Sequence, residues 1–123
     1  MGTENMLLHI DQITVDGAPL AFADGSGMAS GFAGFTNAVV PSASGDDFEK
    51  RARVPRIFKA QIQFGSNSQP SDYNKLRGIQ ITARDSQTGR RVLMPKCSFG
   101  EMGDLGGGAV DITFNVLAEP QWL

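Results

Sequence analysis

The chain has one histidine, His9, and one cysteine, Cys97. Brought together they would form a thiolate nucleophile activated by a general base. They lie far apart in the sequence, so such a pair would form only by spatial accident. His9 therefore reads as an ordinary residue of a strand or N-terminal arm. Cys97, inside an alternating segment, reads as a small buried hydrophobe. A lone cysteine forms no intrachain disulfide, which fits a reducing compartment, and suggests no structural zinc site. The triplet Gly106-Gly107-Gly108 lacks the following Lys-Ser/Thr of a phosphate cradle and leads into a strand, not a helix. Glu101, Asp104 and Asp111 are too sparsely spaced for a calcium loop, which needs dense oxygen ligands and a terminal bidentate acid. The residues thus point to no catalytic, cofactor or metal site.

The charge run is more informative. Asp46-Asp47-Phe48-Glu49-Lys50-Arg51-Ala52-Arg53 feeds without a glycine into the segment "RVPRIFKAQIQF". A solvated loop accounts for mixed charge by itself. It does not account for Phe48, an aromatic with little use in a free loop.

Several elements must position these residues. "LLHIDQITVDGAPLAF" carries Asp16-Gly17 between β-prone flanks, a signal for a hairpin with a type I′ turn. Its return strand holds Leu20 and Phe22. From Ala23 to Ala52 the pattern is weak. "GFAGFTNAVV" reads as strand pieces, followed by a long protruding loop over about residues 41–53. Loops of that length in small domains are usually functional or mobile. In "RVPRIFKAQIQF", Val54, Arg56, Phe58, Ala60, Ile62 and Phe64 share one face, and Ile57, Lys59, Gln61 and Gln63 the other. "GSNSQPSDYNKLRG" predicts a short helix capped by Ser68 or Ser71 and ended by Gly78, with Tyr73 and Leu76 as a narrow apolar stripe. "IQITAR" and "RRVLMPKCSF" form a second hairpin, in which Pro95 demands an edge position or a bulge. In the last strand Val110, Ile112, Phe114 and Val116 alternate with Asp111, Thr113 and Asn115. The expected fold is mainly β, α+β by strict count: a small antiparallel sandwich or barrel with one short flanking helix.

The totals bound this reading. At 123 residues the chain is expected to be one domain, residues 1–123. Hydrophobic content of 41% and charged content of 20% belong to a globular chain, not a disordered one. A net charge of −2 supplies no basic footprint for binding nucleic acid. "MGTENMLLHIDQ" lacks a secretory pattern, and no apolar run approaches the ~20 residues of a membrane helix. The default address is cytoplasmic. Long, regular strands with one apolar and one wet face also leave sheet edges that must be blocked or used. Nothing here blocks them, so self-association through shared sheet is expected.

"ITVDGAPL", "RVPRIFKAQIQF", "SDYNKLRG", "IQITARDSQTGRRVLM" and "GGAVDITFNVLAE" follow one another in an order that resembles the tail tube proteins of Mu-like phages. These are related to the haemolysin-coregulated protein of type VI secretion. The order of elements carries the resemblance over most of the chain; the stretch from Ala23 to Ala52 matches least. The resemblance implies hexameric rings that stack into a tube, the conduit through which the genome passes. It implies other tail proteins as partners: a sheath if the tail contracts, a tape measure, a baseplate or terminator. DNA would transit without specific binding, no membrane would be involved, and the chain would assemble in the host cytoplasm and end in the virion tail. Under this reading Asp46, Asp47, Phe48, Glu49, Lys50, Arg51 and Arg53 form an arm to the adjacent ring. Gln61, Gln63, Asp111, Thr113 and Asn115 are candidates for the lumen wall, with Lys59 a counterexample on the same face. The alternatives are a tail terminator or completion protein and a type VI tube subunit. A small-ligand-binding barrel ranks below these, and a hydrolase last.

Overall fold

The computed structural model describes residues 7–123, so Met1–Met6, half of the stretch read above as lacking a secretory pattern, lie outside the described residues. In chain order the elements are β1 (Gln12–Val15), β2 (Ala18–Pro19), β3 (Met28–Ser30), β4 (Phe35–Val40), β5 (Phe48–Arg53), β6 (Arg56–Gln63), α1 (Ser71–Asn74), β7 (Arg77–Arg84), β8 (Arg91–Met102), β9 (Ala109–Val116) and β10 (Gln121–Trp122). The chain is therefore mainly β and antiparallel, as its alternation predicts.

Period-two patterning decides which face goes inward. Phe58, Ala60 and Ile62 of β6 are buried, as are Ile79, Ile81 and Ala83 of β7 and Val110, Ile112, Phe114 and Val116 of β9. With Ile13, Val92, Met94 and Cys97 they form one continuous core. These strands all belong to one sheet, ordered β2-β1-β7-β8-β9-β6-β3. A single sheet that buries the same face of every long strand in one core has to curl around it. The segment after β2 links the two ends of the curl. Leu20 N–H donates to the Ile13 carbonyl at 2.9 Å, on the β1 side. Ala23 N–H donates to the Gln61 carbonyl at 2.8 Å and Gln63 N–H to the Ala21 carbonyl at 3.1 Å, on the β6 side. The body is thus a small barrel-like sheet whose seam is bridged within the chain. This revises the expectation of unpaired long edges: in the body, the rim left unpaired is short.

Local chemistry places the turns. Asp16 and Gly17 have φ of 51° and 82°, the two positive values of a type I′ turn, and Val15 faces Ala18 across it. Pro95 sits in a bulge: Met94 pairs with Ile81 and Cys97 with Ile79, leaving Pro95 and Lys96 opposite Gln80. Pro95 has no N–H to give a ladder, and the bulge removes the need for one. There β8 also changes neighbours, from β10 beside Val92 and Leu93 to β9 from Cys97 onward.

Two expectations need correction. The helix is a single turn, α1, with Pro70 at its N-cap and no side-chain cap. Ser68 Oγ instead accepts from Gly65 N–H at 3.2 Å, and the Asp72 carboxylate accepts from Gln69 N–H at 3.0 Å. Lys75 closes the turn, and Gly78 lies in β7 at φ 62°. The protruding loop is a regular β-hairpin: β4 and β5 pair from Phe35↔Arg53 to Val40↔Phe48, and residues 41–47 are its turn. Arg51 and Arg53 are therefore strand residues near the base of the arm, not members of a loose loop.

Candidate assembly surfaces

Two surfaces carry the sequence-predicted residues. The first is the outer face of β6 and β9. Because each strand turns alternate residues inward, the polar set between Ile57 and Gln63 must point out, and antiparallel pairing sets it against the polar set of β9. Gln61 faces Asp111, Lys59 faces Thr113, Ile57 faces Asn115, and Gln63 faces Ala109. The pairing brings Gln61, Gln63, Asp111, Thr113 and Asn115 onto one contiguous wet face. Beyond β9 it continues into Ser98 and Glu101 of β8, which face Asn115 and Thr113. Ser26, Met28, Lys59, Gln61, Asp111 and Thr113 help line a shallow recess of about 480 Å³ there. Ser26 anchors its edge, its hydroxyl donating to the Ala23 carbonyl at 2.6 Å and accepting from Gln61 N–H at 3.1 Å.

The second surface is the β4–β5 hairpin. All of its strand residues are exposed. It forms a sheet of its own, with no backbone ladder to any other strand of the described chain. Cross-strand partners share a face, so Phe35, Asn37, Val39, Glu49, Arg51 and Arg53 lie on one side. Thr36, Ala38, Val40, Phe48, Lys50 and Ala52 lie on the other. Neither side is covered: Val39 and Phe48 are each 68% exposed. The Arg51 guanidinium lies over the Phe35 ring, 4.2 Å from its centre, across a diagonal of the ribbon.

The hairpin is fastened at its root. Val54 N–H donates to the Gly34 carbonyl at 3.0 Å. Gly31, at φ 75°, packs so tightly that a Cβ there would sit 2.1 Å from the Pro55 carbonyl oxygen. Arg56, the first residue of β6, has a buried Nε with no hydrogen-bond partner. At the distal end Asp47 accepts from Ser42 N–H at 3.3 Å and shapes the turn.

Groups able to do chemistry are differently placed. Cys97 is fully buried, and burial pushes its thiol up to about 11. A protonated, enclosed thiol is a poor nucleophile. His9 Nε2 lies 2.9 Å from an Asp24 carboxylate oxygen at the surface, the one ion-pair contact within 4 Å among the described residues. The buried Asp85 carboxylate accepts N–H groups from His9, Gln87 and Thr88. The His9 bond foremost among them holds its carboxyl below the ordinary value. This cluster fastens the N-terminal segment to the β7–β8 turn. Among the described residues, no three His, Cys, Asp or Glu side chains gather to hold a metal ion.

Sequence reasoning missed half of the arm. Phe35, Val39 and Val40 belong to it, and the signal was "FTNAVV", a β-prone run matching "FEKRAR" in length across "PSASGDD". The unpartnered Arg56 Nε had no signal, because it follows from packing at the root. Comparison with models of known protein families and with curated proteins finds no match to this chain.

Proposed function

We propose that the chain is the structural subunit of a phage tail tube, acting without catalysis, in which hexameric rings stack into the conduit for the genome. The observation that carries this reading is the bare hairpin on an otherwise self-contained body. A two-stranded ribbon with both faces in water is marginal by itself, and this one exposes Phe35, Val39, Val40 and Phe48. Its natural complement is the surface of a neighbouring copy. In the tube the arm reaches the adjacent ring, and Phe48 is its apolar anchor.

The wet face of β6 and β9 is the candidate lumen wall. Amides and hydroxyls dominate it, with Asp111 and Glu101 opposing Lys59. Such a lining holds water and does not grip phosphates, so DNA slides. The tube subunit would reach the virion tail by assembly in the host cytoplasm. Among the described residues no helix is long and apolar enough to cross a membrane.

A ligand-binding barrel needs an open interior. Here Phe58, Phe114, Ile62, Ile81 and Met94 fill the centre with fully buried side chains. A terminator or a type VI tube subunit shares the body, and differs in whether both ring faces stack.

Electron microscopy of the purified protein tests the proposal: rings and stacked tubes are expected, and a chain that stays monomeric at high concentration refutes it. Removing residues 36–52 and joining Phe35 to Arg53 through two glycines should abolish stacking while the body keeps its melting temperature. Tubes that still form from this variant exclude the arm.

A further inference from the structure

The arm's charges are sorted along its length. Asp46, Asp47 and Glu49 lie at the tip, and after one change of sign Lys50, Arg51, Arg53 and Arg56 run to the root. Not one of these groups has an ion-pair partner within 4 Å among the described residues. Glu49 and Arg53 lie four positions apart on β5, about 13 Å, with Asp46 farther still, and neither acid pairs with the cations of its own root. At the root lies an open recess of about 600 Å³ lined by Phe32, Phe35, Arg53, Arg56, Glu119 and Trp122. Its two guanidinium groups outnumber the single Glu119 carboxylate, and one of the two, Arg56, has a buried Nε without a partner. An unsatisfied donor of that kind is costly unless an acceptor arrives.

We propose that the acidic tip of one copy docks on the basic root recess of the next, Asp46 and Glu49 meeting Arg53 and Arg56 while Val39, on the same face as Glu49, covers Phe32 and Phe35. The occupant is a second copy of this chain, identified by charge complementarity at two ends of one element. The contact is head-to-tail, so every copy offers one tip and one root, and the series propagates in one direction. This deepens the tube reading, on which it rests only for placing the contact between stacked rings. Asp47 is left out of the contact because it shapes the turn through Ser42.

The test uses two reversed variants of the full chain. Tip-reversed protein carries Asp46→Lys and Glu49→Lys; root-reversed protein carries Arg53→Glu and Arg56→Glu, the two cations of the recess. Each alone places like charges in every contact and should associate at least about tenfold more weakly at low salt. Mixed in equal amounts, opposite charges meet at every contact if the two alternate, and association should return, measured by sedimentation velocity. Circular dichroism of each variant should match the unaltered chain. A mixture that remains dissociated while the unaltered chain associates overturns the proposal and leaves the tube reading standing.

If the unaltered chain itself fails to associate, the tube reading falls and a cross-link decides the docking. Asp46→Cys and Arg53→Cys proteins are mixed with a short bis-maleimide; buried Cys97 does not compete. A salt-sensitive heterodimer joined between the two positions, absent from either variant alone, sustains tip-to-root docking. No such product refutes it.

Discussion

The barrel body and the β4–β5 hairpin are built from the same kind of antiparallel ladder and put it to opposite uses. In the body each long strand buries one face, and the ladder is continued on both sides across most of the sheet. In the hairpin both faces stay in solvent and each strand has one partner. The body's stability therefore resides within the chain, whereas the hairpin's apolar residues gain burial only from outside. Core substitutions should accordingly move the melting temperature, and hairpin substitutions the state of association.

The widest separation should come from two phenylalanines. Phe58 is fully buried in β6. Phe58→Ala removes a ring from a closed core and should destabilise by about 3–5 kcal/mol, read by urea unfolding. Phe48→Ala, on the exposed hairpin, should shift unfolding by no more than about 0.5 kcal/mol, while the proposed stacking of rings should be lost in micrographs. A large stability loss from Phe48→Ala would mean that the hairpin is an integral part of the body.

The next effect lies in acid. Backbone N–H groups of His9, Gln87 and Thr88 hold the Asp85 carboxyl below 3.8, so the unfolded chain takes up this proton at higher pH than the folded one. The stability contributed by Asp85 is complete above the unfolded value and lost as pH falls through the folded one. Asp85→Asn should flatten the acid limb of the stability curve below the ordinary carboxylate value of 3.8. Asp11, lowered by the Ser86 hydroxyl, should retain part of the slope. An unchanged limb would show that the Asp85 cluster adds nothing.

A smaller effect is expected at the β1–β2 turn. Gly17 sits at φ 82° with open space around its Cβ position, so Gly17→Ala meets backbone strain alone. It should cost about 1 kcal/mol in the same unfolding assay and leave stacking intact. Smallest of all, Arg51→Gln removes the cation over Phe35. This should change unfolding by about 0.5 kcal/mol or less, since the pair is exposed.

The same contrast explains what could be read from residues alone. β6, β9 and the Asp16-Gly17 turn were legible because burial of one face imposes a period of two and a type I′ turn selects Asp-Gly. The residues of the wet face were legible for the same reason, as everything opposite the core. Their cross-strand pairing, Gln61 with Asp111 for example, was not, because register between distant strands is a tertiary property. The hairpin was half hidden because neither of its faces packs on the core. "FTNAVV" therefore lacks the alternation by which a strand is recognised, and the charges of "FEKRAR" resemble a loop. The one-turn helix was overread: Ser68 and Ser71 are fair caps by type, but Pro70 occupies the N-cap and the turn stops at Lys75.

The close approach of Gly31 to the Pro55 carbonyl, beside the Gly34–Val54 hydrogen bond, makes a stiff joint where a swivel could have been. In the proposed assembly, an arm set at one angle during folding would arrive at its neighbour already aimed, with little orientational freedom left to lose on contact. Gly31→Ala would leave every residue of the ribbon unchanged and still point it in the wrong direction.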